Sequence, residues 1–355
     1  MAPYIVLLLV PILIQHIGIK GIDYQKKNKI ALIFFCTFLT VLVMLRHAVI
    51  GNDTQNYINY FNFFSNSEWN RLKGYEMEIG YVYLNKLVSL LSVNPQIFLS
   101  ILAIMVSVLM FPTYLRLCID SSLTIVLFSC MSTFVMMFSG IRQMLAIAIG
   151  FVAYEFVCRK KLIPFLLAVA AATAFHSSAF MLFFMYPLYH AQIKSKSLII
   201  IAPMMFVAFM YNKQIFGTLG TILEQYTRFE ITEETTGAYM MLILFLVLTV
   251  FAYLIPDDRA IDKETIGLRN FLLFSVLIQF FAPLHSLAMR MNYYYIIFIP
   301  LLMPKIIQCR SKRWNQVAIF GRNVMVLFFL VYFFYYMRSS SLHTYPYHFF
   351  WENVL

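Results

Sequence analysis

Charge is what this sequence most lacks. Only 12% of its 355 residues are Asp, Glu, Lys or Arg, against about 25% in an ordinary soluble domain, and 61% are hydrophobic. So few charges cannot cover a water-facing surface, which excludes a soluble globular fold. Glycine and proline, at 12 each, are too sparse for a collagen-like or low-complexity chain. Of the five cysteines, Cys36 and Cys130 fall inside apolar blocks, and Cys118, Cys158 and Cys309 lie near one set of block ends. None forms a pair offered to an oxidising compartment, so no structural disulfide is expected. His-Glu-x-x-His and Cys-x-x-Cys are missing, as is a tight Asp-x-Asp on the face that carries the candidate chemistry, so no metal or other cofactor is expected.

What is present is apolar length. Blocks of roughly 14 to 21 residues cross most or all of a hydrocarbon core of about 30 Å when helical. Twelve candidate spans result: 2–19, 30–45, 96–115, 122–138, 143–157, 162–175, 177–189, 198–211, 238–255, 270–284, 292–304 and 323–337. The blocks flanking His176 also fit one bent or re-entrant element. The first block lacks a basic n-region and a small-residue cleavage site, and reads as a retained helix. The expectation is an all-α polytopic membrane protein, residues 1–355 forming one transmembrane domain with about a dozen helices.

Basic residues set the orientation. Assigning alternate loops to one face gathers there about two-thirds of the 27 Lys and Arg, including Lys26-Lys27-Asn28-Lys29, Arg159-Lys160-Lys161 and Arg310-Ser311-Lys312-Arg313. The positive-inside rule makes this face cytoplasmic and puts both termini on the other side. The net charge of +11 thus reports topology, and its division among short loops argues against nucleic acid as a partner.

Two far-side loops are long, 46–95 and 212–237. The first carries Tyr57, Tyr60, Phe61, Phe63, Phe64, Trp69, Tyr75, Tyr81 and Tyr83, enough ring surface to fold. From Ile79 to Ser92, the residues Ile79, Val82, Tyr83, Leu87 and Leu90 recur at helical spacing, which predicts an interfacial helix. Anchoring at the interface is the common use of such Tyr and Trp rings. The second loop ends in Glu230, Glu233 and Glu234 and reads as a solvated face.

Short far-side motifs carry the candidate chemistry. Arg142 follows Ser139-Gly140-Ile141, His176 sits between two apolar blocks, and Arg290 precedes Met291-Asn292-Tyr293-Tyr294. Each arginine either snorkels to headgroups or serves a site, but these groups, with Arg46, form a set on the less basic face. Gly51-Asn52-Asp53-Thr54 is a turn in which Asp53 reads as a helix N-cap or as a carboxylate near an arginine. Glu78 reads as a first-turn residue or as a second such carboxylate.

The order Arg46…Gly51-Asn52-Asp53-Thr54…Tyr57, Glu78-Ile79-Gly80-Tyr81…Leu84-Asn85, Ile141-Arg142-Gln143…Ala146, Phe175-His176-Ser177-Ser178, Arg290…Tyr294 resembles the EpsG-like family of Wzy-type polysaccharide polymerases. The resemblance spans about residues 30 to 305. It implies a GT-C-like membrane glycosyltransferase that joins undecaprenyl-diphosphate-linked repeat units at the periplasmic face of a bacterial inner membrane, as in O-antigen, capsule or exopolysaccharide synthesis. The partners implied are the lipid-linked donor and acceptor, membrane lipids, and a chain-length regulator and flippase. Displacing a lipid diphosphate calls for planar, permanent cations, which assigns Arg142 and Arg290, then Arg46, to the diphosphate. The acceptor hydroxyl needs a base, for which His176 ranks first, since an imidazole ordinarily titrates at about 6.5. Glu78 and Asp53 follow, and a hydrogen-bonded structural histidine is the competing reading. Tyr57, Gln143 and Tyr294 are assigned to the glycan, and His16, His190 and His285 to structure. Two rivals stand beside this reading: a GT-C-type single-sugar transferase or ligase with Glu76-Met77-Glu78 as its acid/base element, and a flippase, against which the lack of an internal repeat counts.

Overall fold

A computed structural model of the chain describes residues 1–17, 22–72, 75, 77–222, 236–338 and 343–354. Glu76, Glu230, Glu233 and Glu234 lie outside the described residues. The chain is all-helical, with no β-strand among the described residues, and divides into two compact units, Met1–Phe183 with Arg322–Leu355, and Phe184–Gly321.

The first unit holds α1 (Ala2–His16), α2 (Tyr24–Leu45), α3 (Thr54–Asn66), α4 (Ile79–Ser89), α5 (Pro95–Leu117), α6 (Ser121–Cys130), α7 (Ser132–Met136), α8 (Ile141–Cys158) and α9 (Leu162–Thr173). Side-chain caps start several of these helices: Asp23 accepts from the Lys26 amide at 2.7 Å, Asn94 from Gln96 at 2.8 Å and Asp120 from Leu123 at 3.2 Å. Each cap contributes about 1 kcal/mol. The 46–95 segment is folded. Phe64 of α3 packs with Leu72 and with Val82 of α4, flanked by Met77 and Tyr83. The buried stripe of α4 is Tyr81, Val82, Asn85 and Val88, whereas Ile79, Leu87 and Leu90 are exposed. The spacing expected from sequence therefore mixed two faces of the helix, because in a membrane protein an apolar side chain does not have to point inward.

The second unit contains α10 (Met185–His190), α11 (Leu198–Met210), α12 (Asn212–Ile222), α13 (Thr236–Leu254), α14 (Lys263–Gln279), α15 (Ser286–Ile296) and α16 (Ile299–Gln308). It is organised on α14, against which α10, α13, α15 and α16 pack. Arg269 of α14 is 1% exposed; it pairs with Asp258 at 3.1 Å, donates to the Ile193 carbonyl at 2.8 Å and lies 4.1 Å over the Tyr253 ring. Burial works against ionisation of Asp258, but hydrogen bonds from the Ser195 hydroxyl and amide, together with Arg269, outweigh it and hold the carboxyl below its ordinary value. The last helix, α17 (Asn315–Tyr336), joins the first unit from Arg322 onward, where Arg322 forks onto Asp120 at 2.8 and 3.1 Å.

Membrane character shows in what these helices leave uncovered. None of the α11 side chains is buried, and α17 exposes Phe320, Leu327, Val331 and Tyr335. Apolar surface of that extent needs a bilayer. Among the described residues, five helices are long and apolar enough to cross one: α2, α5, α8, Gly237–Leu254 of α13 and Lys312–Tyr336 at α17. A bent pair, Ser177–His190 with Ser195–Met210, is a sixth candidate, and α1, α6, α9 and α16 are shorter apolar helices. The sequence-based count of about twelve admitted blocks shorter than the 20 or so residues that a full crossing takes.

Candidate functional site

One end of the first unit assembles three of the short motifs. Glu78 occupies the N-cap position of α4 but makes no cap hydrogen bond with its side chain. Its carboxylate is used elsewhere: Oε2 accepts from Arg142 Nη1 at 2.7 Å and Oε1 from the Ser177 backbone N–H at 3.1 Å. Next to it the Gly80 N–H donates to the Ala174 carbonyl at 2.8 Å. The start of α4 is thereby stitched to the 174–177 turn. A Cβ at position 80 would sit 2.6 Å from the Ala174 oxygen, so only glycine permits this approach.

Arg142 is the second residue of α8, next to buried Ile141 and Gln143, and keeps 27% of its side chain exposed. Besides Glu78 it meets the Tyr81 ring, 5.6 Å from guanidinium carbon to centroid. Tyr81 stands edge-on to Tyr57 at 5.9 Å and to Phe98 at 6.4 Å, and Phe98 stacks on Phe61 at 4.5 Å. This aromatic column fixes α3 and α4 against α5 beneath the arginine. Burial pushes the Tyr57 hydroxyl up, against the opposing pull of Arg142.

His176 directly precedes Ser177, is partly buried, and has Nδ1 2.7 Å from Ser178 Oγ. Asp53 fills the N-cap position of α3, again without a side-chain cap. Its loop is pinned to the segment ahead of Arg142: the Asn52 N–H donates to Ser139 Oγ at 2.9 Å, and Thr54 Oγ1 donates to the Ile50 and Phe138 carbonyls at 2.6 and 3.1 Å. Gly51, at φ +86°, turns this loop where a Cβ would lie 2.4 Å from the Phe138 oxygen. Glu78, Arg142 and His176 thus belong to one set of bonded segments, and Asp53 is held to the same stretch that leads into α8.

The other sequence candidates fall differently. Arg46 is fully buried, which takes it out of reach of a diphosphate arriving from solvent or lipid. The cause is the C-terminal segment: Phe349 bridges Arg46, the Phe350 N–H donates to the Leu45 carbonyl at 2.9 Å, and the Gly51 N–H donates to the His343 carbonyl at 2.7 Å. Tyr57, Gln143 and Tyr294 are 5%, 2% and 1% exposed, so none offers surface on which a sugar could stack. In the second unit Arg290 is exposed on α15. His285 caps that helix, Nδ1 accepting from the Leu287 N–H at 3.0 Å. Burial first, and then the charge of Arg290, lower the His285 pKa from its ordinary value. Asn292 ties α15 to α14 by donating to the Ser275 carbonyl at 3.1 Å and Gln279 Oε1 at 2.9 Å.

Four participants carried no role from sequence: Gly80, Tyr81, the Ser177 amide and Ser178. Their signal was membership of the motifs around Glu78 and His176. Among the described residues no group of three His, Cys, Asp or Glu is placed to hold a metal.

The chain matches the model of the EpsG family over residues 29–349. No curated protein and no solved structure matches the chain.

Proposed function

The chain belongs to the EpsG family of polysaccharide-polymerase-type membrane proteins, and from that premise we propose that it joins undecaprenyl-diphosphate-linked oligosaccharide repeat units at the periplasmic face of a bacterial inner membrane. The observation that carries the reading is the junction of Arg142, Glu78 and the Ser177 amide, with His176 alongside. It brings a cation suited to phosphate, a carboxylate and an imidazole to one end of the first unit.

In this account the acceptor sugar hydroxyl attacks the anomeric carbon of the donor glycan, and the bond from that carbon to the diphosphate oxygen breaks. Negative charge then gathers on the departing lipid diphosphate. Arg142 meets it with a guanidinium already held by Glu78 and Tyr81, so little reorganisation accompanies charge development. Arg290 is assigned to a carrier phosphate from its own unit. His176 takes the acceptor proton, its ring turned by Ser178, and Glu78 keeps Arg142 in place. Asp53 is the second candidate for the proton. Arg46 is left out of the phosphate site because it is buried.

The cellular test is removal of the chain from its producer. Glycan left as single repeat units on the lipid carrier, accessible from the periplasm, is the expected result. Repeat units trapped on the cytoplasmic side point to a flippase, and absence of complete repeat units points to an earlier transferase; either outcome rejects the proposal.

A further inference from the structure

Residues 343–354, which follow α17, are bonded to the start of α1 and the end of α2. The Tyr4 hydroxyl donates to the Thr344 carbonyl at 2.6 Å, and the Tyr347 hydroxyl donates to the Leu42 carbonyl at 2.7 Å. Around the Arg46–Phe349 bridge, the Phe350 N–H donates to the Leu45 carbonyl and the His47 N–H to the His348 carbonyl, each at 2.9 Å. Thr344 and Tyr347 are buried, and the Tyr4 and Tyr347 rings meet edge-on at 5.9 Å. A terminal segment orders only when it is tied down in this way.

One further bond leads toward the candidate site. The N–H of buried Gly51 donates to the His343 carbonyl at 2.7 Å. Gly51 is the left-handed turn that opens the Asp53 loop, and that loop holds the stretch ahead of Arg142: Asn52 donates to Ser139 Oγ at 2.9 Å and Thr54 to the Phe138 carbonyl at 3.1 Å. Gly140 is then the N-cap of α8, and Arg142 its second residue. Tyr4 reaches the same stretch directly, edge-on to Phe138 at 6.4 Å. Residues 343–354 are thus linked to the start of α8 both through the 47–54 loop and through Tyr4.

We propose that residues 343–354 form a strap that positions Asp53 and Arg142 for the transfer reaction by fixing where α3 and α8 begin. The proposal rests on the polymerase reading. The strap touches no reacting atom and acts through the 47–54 loop. Residues 47–53, between α2 and α3, have no helix of their own to satisfy their backbone, and the strap supplies acceptors for two of their N–H groups, those of His47 and Gly51. A buried N–H that loses its partner is costly, so without the strap the Gly51 turn has to rearrange. The bonds from Asn52 and Thr54 to residues 138–139 move with it, and so does the first turn of α8.

The test measures turnover and amide hydrogen exchange in three forms of the purified chain: parental, deleted of residues 343–355, and Tyr4→Phe with Tyr347→Phe, which removes both hydroxyl clasps and keeps the rings. Both altered forms should exchange about tenfold faster or more at Gly51 and Asn52 and turn over about tenfold slower or more. A synthetic peptide of residues 343–355 should restore both readouts to the deleted chain. Asp23→Ala removes the cap at the far end of α2; it should lower stability and change neither readout. Parental turnover in a folded altered form, unchanged exchange at Gly51 and Asn52, or an equal loss of turnover in Asp23→Ala overturns the proposal. Should the deleted chain fail to fold, the double tyrosine variant decides. If the parental protein makes no polymer, the polymerase reading has failed, and exchange alone then decides whether the strap holds the loop.

Discussion

Replacing Gly80 with alanine sets two effects of opposite sign against each other. Gly80 is the second residue of α4, where alanine is favoured over glycine by about 1 kcal/mol on helix propensity alone. The added Cβ, however, would lie 2.6 Å from the Ala174 oxygen and 3.0 Å from its carbonyl carbon. Both are backbone atoms that cannot swing aside. To reach 3.4 Å, where ordinary contact begins, helix and turn must part by roughly 0.8 Å. That separation breaks the Gly80 N–H bond to Ala174 and pulls Ser177 away from Glu78. Overpacking of this kind typically costs about 1–3 kcal/mol, so the contact outweighs the propensity. The kinetic effect is larger, because a misplacement of about 1 Å at a site can cost about 10²-fold in rate. The assay pairs unfolding temperature with turnover of a lipid-linked repeat unit. Gly217→Ala is the control, since nothing lies within 4 Å of a Cβ there, and it should be neutral or slightly stabilising. A Gly80→Ala protein with parental stability and parental turnover would refute the claim that this close approach positions Glu78.

Arg142→Lys should lose most activity while protein levels stay normal, because an ammonium cannot reproduce the planar fork; parental turnover in this variant reduces Arg142 to a snorkelling residue. His176→Ala should lower turnover about 10² to 10⁴-fold with lipid-donor binding retained, measured beside Glu78→Gln and Asp53→Asn, and a normal rate in His176→Ala with loss in Asp53→Asn moves the base to the carboxylate. For Asp258 the folded carboxyl is held below its ordinary value, so its contribution to stability is full above the unfolded value of about 3.9 and fades as pH falls through the folded one. Asp258→Asn should therefore destabilise at neutral pH, by about 3 kcal/mol given the buried Arg269 it leaves unpaired, and flatten the acid limb of the stability profile; an unchanged acid limb contradicts this. In a cysteine-free background, cysteine at Asn66 should label from the periplasm and cysteine at Lys196 or Arg313 should not, and labelling of all three from one side removes the topology.

Helical class was legible from apolar block length, because in a bilayer the helix alone among open structures satisfies its own backbone. Helix ends were less so. The expected span 122–138 stops at Cys130, and the apolar stretch around 292–304 is divided between α15 and α16. The histidine that caps α15 gives no signal in a propensity reading. At the site, Glu78, Arg142 and His176 were each visible as polar residues out of place. Their convergence was not, since the Glu78 contacts span 64 and 99 residues of sequence. Arg46 shows the opposite limit: its motif context pointed to substrate, and its burial under a segment some 300 residues away gave no signal in the sequence. Tyr57, Gln143 and Tyr294 went the same way, because a residue's type does not tell which face of its helix looks inward.

The central claim is most directly tested by incubating the purified protein with a single defined undecaprenyl-diphosphate-linked repeat unit and resolving the products by mass. Polymerisation predicts a ladder in which each product exceeds the last by one whole repeat unit, with free undecaprenyl diphosphate released once per linkage, and loss of the ladder in Arg142→Lys. A product one sugar heavier than the substrate, or unchanged substrate from a folded protein, would contradict it.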